Sequence, residues 1–460
     1  MAPARHPRGP APRALGRVRD DAAPASLRWR LWGRYHRDAR LILVTSLVAG
    51  AAISLWWIDF NLYLEATGLS PAEIGIVATL ANVAGAVIPF PASAVSDRVG
   101  RRAVFAAALV AGLVALGVLV AAGSALPLIV VAAMLWSAAN NAFGVVVPPF
   151  LTERSEPAHR NELFALQSAI QNITNVAAAV LGGVVAVVVA GWLGIDQSGR
   201  GIYLIILVIM AALLVAGLAS VRFLADDRPS SVAGQRLRRV GEPAAFPRDP
   251  RRRRARLGIV IRDRRRFARL VLPGFLISIG AGQVIPFLNL FVKQKFGLDL
   301  AELNAVFALT SLGTAAAILL QPRLARRFGQ VASVVIVQAA SIPFLTVLGF
   351  SPVLWTVVAA MAVRSSLMNA GNPIANAFAM GLVEPAERAT LSAATSVLWQ
   401  LGWVVGSIWY TSLQATLGFD AGYTVNFVTI IALYSVATAL YWVWFRAHDR
   451  RWLASVGTAG

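Results

Sequence analysis

Ser93-Ala94-Val95-Ser96-Asp97-Arg98-Val99-Gly100-Arg101-Arg102 is the stretch on which the reading of this chain turns. It places an acid, three arginines and a glycine in a short polar segment between two long apolar runs, Glu73–Val95 and Ala103–Ala122. Gly100 permits backbone angles closed to other residues, so a tight turn is expected there. Asp97 and Arg101 have the signs and spacing of a pair.

The same alternation of apolar run and basic loop continues in both directions. Of 460 residues, 57% are apolar and 14% charged, with a mean hydropathy of +0.66. A soluble domain carries about a quarter charged residues. Crossing a bilayer takes about 20 mainly apolar residues, and twelve such runs can be drawn. The first six are Leu41–Leu64, Glu73–Val95, Ala103–Ala122, Leu126–Phe150, Leu163–Trp192 and Tyr203–Val221. The second six are Phe267–Phe291, Leu303–Leu320, Val331–Phe350, Val353–Ala379, Leu391–Leu417 and Tyr423–Phe445. The fold class expected is therefore an all-α membrane protein of twelve transmembrane helices.

Net charge is +20, which in a soluble chain would suggest nucleic acid. Its distribution argues otherwise. Of 42 Lys and Arg, three (Arg200, Lys293, Lys295) fall in one set of loops, Arg364 falls inside a run, and 38 fall in the alternate loops and the tails. That asymmetry predicts a multi-pass protein of the inner (plasma) membrane with both termini cytoplasmic. The division expected is a disordered basic tail over 1–38, a six-helix bundle over 39–222, an Arg-rich cytoplasmic linker over 223–266, a second bundle over 267–446, and a tail over 447–460. The Arg/Pro/Ala-rich start does not read as a cleaved signal peptide. There is no cysteine, and His6, His36, His159 and His448 lie in tails or loops. Thiolate sites, disulfides and a metal cluster are not expected, no cofactor is implied, and no nucleophile constellation or phosphate loop suggests an enzyme. The partners expected are a small solute, protons and the lipid bilayer, for a monomer.

The chain repeats at an offset of 228 to 229 residues. Phe60-Asn61-Leu62-Tyr63 answers to Leu288-Asn289-Leu290-Phe291, Gly68 and Glu73 to Gly297 and Glu302, and Arg98-Val99-Gly100 to Arg327-Phe328-Gly329. Asn141-Ala142 answers to Asn369-Ala370, and Glu156-Pro157-Ala158 to Glu384-Pro385-Ala386. Two like-oriented six-helix halves about an axis along the membrane normal follow, with solute sites between them.

The Ser93–Arg102 segment resembles the signature loop of the major facilitator superfamily, Gly-x-Leu-Ala-Asp-Arg-x-Gly-Arg-Arg, with Ser93 in place of the leading glycine. The second-half copy, Pro322 to Gln330, has Arg326 where the acid should be. The resemblance, with the duplicated plan, covers Leu41 to Phe445 and implies two pseudo-symmetric six-helix bundles moving by alternating access. It also implies a cytoplasmic gate at Asp97, Arg98, Gly100, Arg101 and Arg102 that holds the halves together on the inner side. Glu153, Glu156 and Arg160, after the fourth run, are expected to complete that cluster. Val180 stands where the drug-antiporter pattern has proline, and Trp136 where its fourth-helix pattern has arginine.

Charges at bilayer depth are costly and so mark function by default. Arg364 is expected on the cavity, binding an anionic or hydroxylated solute, or else paired with a buried acid. Asp59 is the candidate coupling carboxylate or the partner of Arg364, although Trp56 and Trp57 beside it suggest the headgroup belt. The fifth run carries a polar stripe of Gln167, Gln171, Asn172 and Asn175 at helical spacing. With Asn141, Gln283, Asn289, Asn369, Trp399, Gln400 and Trp403 it is expected to form a partly polar cavity, the alternative being interhelical packing bonds. The function expected is secondary active transport of a small solute coupled to a proton or solute gradient. A multidrug or metabolite efflux antiporter, and a membrane sensor on the same scaffold, are the other readings.

Overall fold

The computed structural model describes residues 35–155, 160–196, 199–225, 227, 261, 263–318, 329–383 and 387–457. The tail before residue 35, most of the Arg-rich linker, Glu156 and nearly all of the second-half copy of the signature loop lie outside these residues.

The described chain is helical. The first half holds α1 (Arg37–Ala66), α2 (Pro71–Val87), α3 (Pro89–Val99), α4 (Arg101–Ala122), α5 (Leu126–Glu153), α6 (Arg160–Val184), α7 (Ala190–Leu193) and α8 (Arg200–Val221). A π-helical turn, Val185–Val189, joins α6 to α7. The second half holds α9 (Arg264–Val284), α10 (Leu288–Phe296), α11 (Leu300–Ile318), α12 (Gln330–Phe350), α13 (Leu354–Leu382) and α14 (Arg388–Gly457). Among the described residues nine segments are long and apolar enough to cross a membrane. One of these contains two of the expected runs, because α14 breaks at Gly418, where φ is 72°. With α14 divided there, and α11 and α13 counted as crossings, the path is consistent with the twelve-helix plan.

The duplication is visible in how the chain turns. Gly68 and Gly297 end α1 and α10 at φ 89° and 66°, and Gly100 and Gly329 precede α4 and α12 at φ 93° and 85°. Those angles belong to glycine, which explains why the repeat retains it. The paired acids serve as helix caps. Glu73 N–H donates to Ser70 Oγ at 3.3 Å and Ser70 N–H to Glu73 Oε2 at 2.8 Å, while Glu302 N–H donates to Asp299 Oδ1 at 2.7 Å and Asp299 N–H to Glu302 Oε2 at 3.1 Å. Each start satisfies donors that a helix leaves open. Asp263 caps α9 alone, and the Arg266 N–H above all holds its carboxyl below the usual range.

Packing repeats as well. In the first half α1 packs on α6 and α8, α5 on α2 and α4, and α4 on α8. In the second half α9 and α12 pack on α14, and α13 packs on α11 and α12. Between the halves, α2 meets α14 and α6 meets α11. One apolar cluster of buried side chains runs through both halves.

A cavity between the halves and its closed end

Two cavities of about 260 and 730 Å³ share Trp57 and Asn140 and lie between the halves. Trp56, Trp57, Asn61, Asn82, Trp136 and Asn140 line the smaller one from the first half. Pro286, Trp399, Gln400 and Trp403 line it from the second. The larger is bounded by Ser54, Gln167, Gln171 and Asn175, facing Ile285, Phe307, Ser311 and Asn369. The polar stripe read along the fifth run thus meets the cavity through three of its members, and Asn141, Asn369, Trp399 and Gln400 also stand in the walls. Asn140 and Asn82 were not singled out by the sequence reading. Asn140 is adjacent to Asn141, and only the rotation of α5 shows that both reach the walls. Trp56 and Trp57 line the cavity, and Trp56 stacks on Phe60 at 3.8 Å and on Trp136 at 4.4 Å. Trp57 meets Trp403 edge-on at 5.8 Å, across the two halves.

One end of this cavity is tied shut. Asn61 donates through Nδ2 to Pro286 O at 2.5 Å, and Asn289 donates through Nδ2 to Ile58 O at 2.6 Å. Both donors and both acceptors are related by the offset of 228 residues, so each half makes the same bond to the other. Above them, Lys293 pairs with Glu65 at 2.8 Å, and Gln294 Nε2 donates to Glu65 Oε1 at 2.6 Å. Asn289, expected in the solute site, therefore lies in this seal, 3% exposed and with its amide engaged.

The two intramembrane charges lie off the walls. Asp59 is 3% exposed, in a small gap beside Tyr203, Met210 and Trp56. Asn304 of the second half approaches its carboxyl, yet neither Asp59 oxygen nor Asn304 Oδ1 has a hydrogen bond. Arg364 is 5% exposed and donates through Nη2 to Tyr434 Oη at 3.2 Å. Among the described residues no carboxylate lies within ion-pair distance of it, so neither the pairing with Asp59 nor a place in the wall is found. The separation has a simple cause: Arg364 turns toward Tyr434 on α14, whereas Asp59 turns toward α8. Gln283 is 1% exposed, with Oε1 unpartnered, at the contact of α9 with α14.

The family model for the Major Facilitator Superfamily matches residues 41–407. This chain belongs to that superfamily. Among solved structures it is similar to the nucleoside transporter NupG (TM-score 0.69, 14% identity, covering 88% of this chain and 99% of that one). It is also similar to a bacterial homologue of the human lysosomal transporter Spinster, in an inward-facing, unoccupied conformation (TM-score 0.68, 12% identity, 88% and 95% covered). A D-xylose–proton symporter follows at TM-score 0.65 and 13% identity, with 87% and 97% covered. At these identities the likeness is one of fold. No curated protein matches by sequence.

The facilitator signature loop lies at the opposite end from the Asn61–Asn289 seal. Its Gly100 makes the turn, Arg98 is exposed, and the Asp97 side chain lies outside the described residues, as does that of Arg160. Arg101 pairs with Glu153, and Asp227 accepts the Arg101 and Arg102 N–H groups at 3.0 and 3.2 Å, capping α4. Arg102 Nη2 donates to Arg222 O at 3.0 Å. At the centre is Arg154, whose side chain is fully buried over the Phe150 ring, 3.2 Å from Asp38 and 3.6 Å from Asp227. Burial works against its charge, and Asp227, Asp38 and Glu153 oppose that effect. These contacts clasp α1, α4, α5 and the end of α8, all within the first half. The expectation that this cluster joins the halves has no counterpart among the described contacts. Arg154, Asp38 and Asp227 escaped the sequence reading because three separate segments bring them together.

Proposed function

We propose that this facilitator is a secondary active transporter that carries a small solute by alternating access, with solute bound between the halves and transport coupled to protons through Asp59. The observation that supports this best is the pairing of a central cavity with a reciprocal, weakly bonded seal at the Glu65 end. Four polar contacts join the halves at the Glu65 end, whereas the Arg154 contacts among the described residues lie within the first half. With both termini in the cytoplasm, as the charge asymmetry favours, this is an arrangement closed to the outside. Rocking of one bundle against the other would break the seal and open the site outward.

Asp59 is assigned to coupling because it is a buried carboxyl in the first span with neither oxygen hydrogen-bonded, beside the Asn304 side chain. A carboxyl in that position can take up and release a proton, which an amide or hydroxyl there could not do. Since Asn304 belongs to the second half, relative motion of the halves would change that environment. The D-xylose–proton symporter among the similar folds is compatible with proton coupling.

The chain has no cysteine, so spin labels can be placed without background. Labels at Ala72→Cys with Ala301→Cys report the Glu65 end, and labels at Ala94→Cys with Gly381→Cys report the other. Alternating access requires two distance populations at each end, with one end lengthening as the other shortens when solute or pH changes. A single unchanging distance at both ends would reject it.

A further inference from the structure

We propose that the cavity selects an electrically neutral solute that combines a flat ring face with hydroxyl or carbonyl groups at its edge. This rests on the transport reading above and names the class of molecule carried.

Charge is the first argument. Among the described residues the walls of both cavities contain no Asp, Glu, Lys, Arg or His. The charges of the bundle are held elsewhere: Glu65 and Lys293 neutralise each other, Arg364 bonds to Tyr434, and Asp59 lies behind Trp56. An ionised solute would be taken from water into a site with no opposite charge, which costs far more than amides and rings return.

Ring faces and open hydrogen-bonding groups are the second. Trp57, Trp399 and Trp403 stand in the walls of the smaller cavity, beside the Phe60–Trp56–Trp136 stack. Such surfaces favour flat partners through stacking and area burial. Asn140, Gln167, Gln171 and Gln400 line the walls and make no hydrogen bond among the described residues, and Trp403 Nε1 is buried without a partner. A side-chain amide offers a donor and an acceptor together. A hydroxyl or a carbonyl-bearing ring can answer both; a carboxylate only accepts and an ammonium only donates. Cavities of about 260 and 730 Å³ hold a solute of one or two rings.

The test uses the full-length protein in detergent, with thermal unfolding titrated by charge-matched probes. The neutral probes are uridine, adenosine and phenyl β-D-glucoside. The anions are uridine 5′-monophosphate, adenosine 5′-monophosphate and phenyl β-D-glucuronide, and phenyltrimethylammonium is the cation. At least one neutral probe should raise the unfolding temperature saturably, at concentrations at least about tenfold below those its anionic counterpart or the cation needs. Gln400→Ala and Trp57→Ala should each weaken that response while the unliganded protein unfolds at a near-normal temperature. A charged probe that binds as tightly as its neutral counterpart, or three neutral probes that fail to bind, overturns the proposal. Counterflow of a bound probe in proteoliposomes separates the two readings. A charged probe that is exchanged sinks only the neutrality claim, whereas a neutral probe that binds without exchange sinks transport.

Discussion

Tyr434 anchors Arg364 by a single hydrogen bond, leaving Arg364 Nε buried and unpartnered. A bond to a charged group contributes about 1.5–3 kcal/mol, so Tyr434→Phe should lower the thermal stability of the purified protein by that order. Solute binding should persist in this variant, since Arg364 does not touch the cavity; lost binding with unchanged stability would place Arg364 in the site after all. Asp59→Asn keeps the size of the side chain and supplies a donor permanently. Proteoliposomes carrying it should still exchange solute but no longer accumulate it under an imposed pH gradient, and retained accumulation would count against Asp59. Both residues were legible as intramembrane charges from their apolar surroundings. Their directions were not, because a helix of uniformly apolar residues gives no period from which to tell its inner face.

At the scale of helices, close approach is set by glycines and by one buried arginine. A Cβ at Gly406 would lie 2.5 Å from Ile279 O and 2.7 Å from the Gly282 carbonyl carbon, so α14 rests directly on the α9 backbone. Overpacking costs about 1–3 kcal/mol, and Gly406→Val should reach the upper part of that range because backbone cannot turn aside; unfolding in detergent measures it. Arg154→Gln strips the cation from between Asp38, Glu153 and Asp227. Removing one partner of a buried pair costs about 3–5 kcal/mol, and the loss should appear as earlier melting, with proteolysis first near the ends of α5 and α8. Unaltered melting would show that the cluster is dispensable. The Gly100 turn and the Glu73 cap could be read from local sequence. The node around Arg154 could not, since its partners are separated by more than a hundred residues on one side and about seventy on the other.

For the whole molecule, the decisive quantity is the balance between closed and open ends. Asn61→Ala with Asn289→Ala removes both reciprocal bonds, each contributing about 1 kcal/mol. The double variant should shift the population open at the Glu65 end by roughly tenfold or more, read as lengthened Ala72→Cys/Ala301→Cys label distances. The single variants should each give about half of that free-energy change, because the repeat makes the two bonds equivalent. No shift in the double variant would mean that the Glu65–Lys293 pair alone holds the seal.

Taken alone, the order of residues determined that this chain is a duplicated, membrane-spanning facilitator, because lipid imposes long apolar runs and the repeat carries its glycine turns and acidic caps in register. It also named much of the polar lining. Only the tertiary structure decided that Asn289 ties the halves instead of facing solute, that Arg364 and Asp59 stand apart, and that the cavity walls carry no charge among the described residues. Which side of a helix faces its neighbours is settled by how all the helices pack together, and in an apolar chain no local pattern reveals that choice.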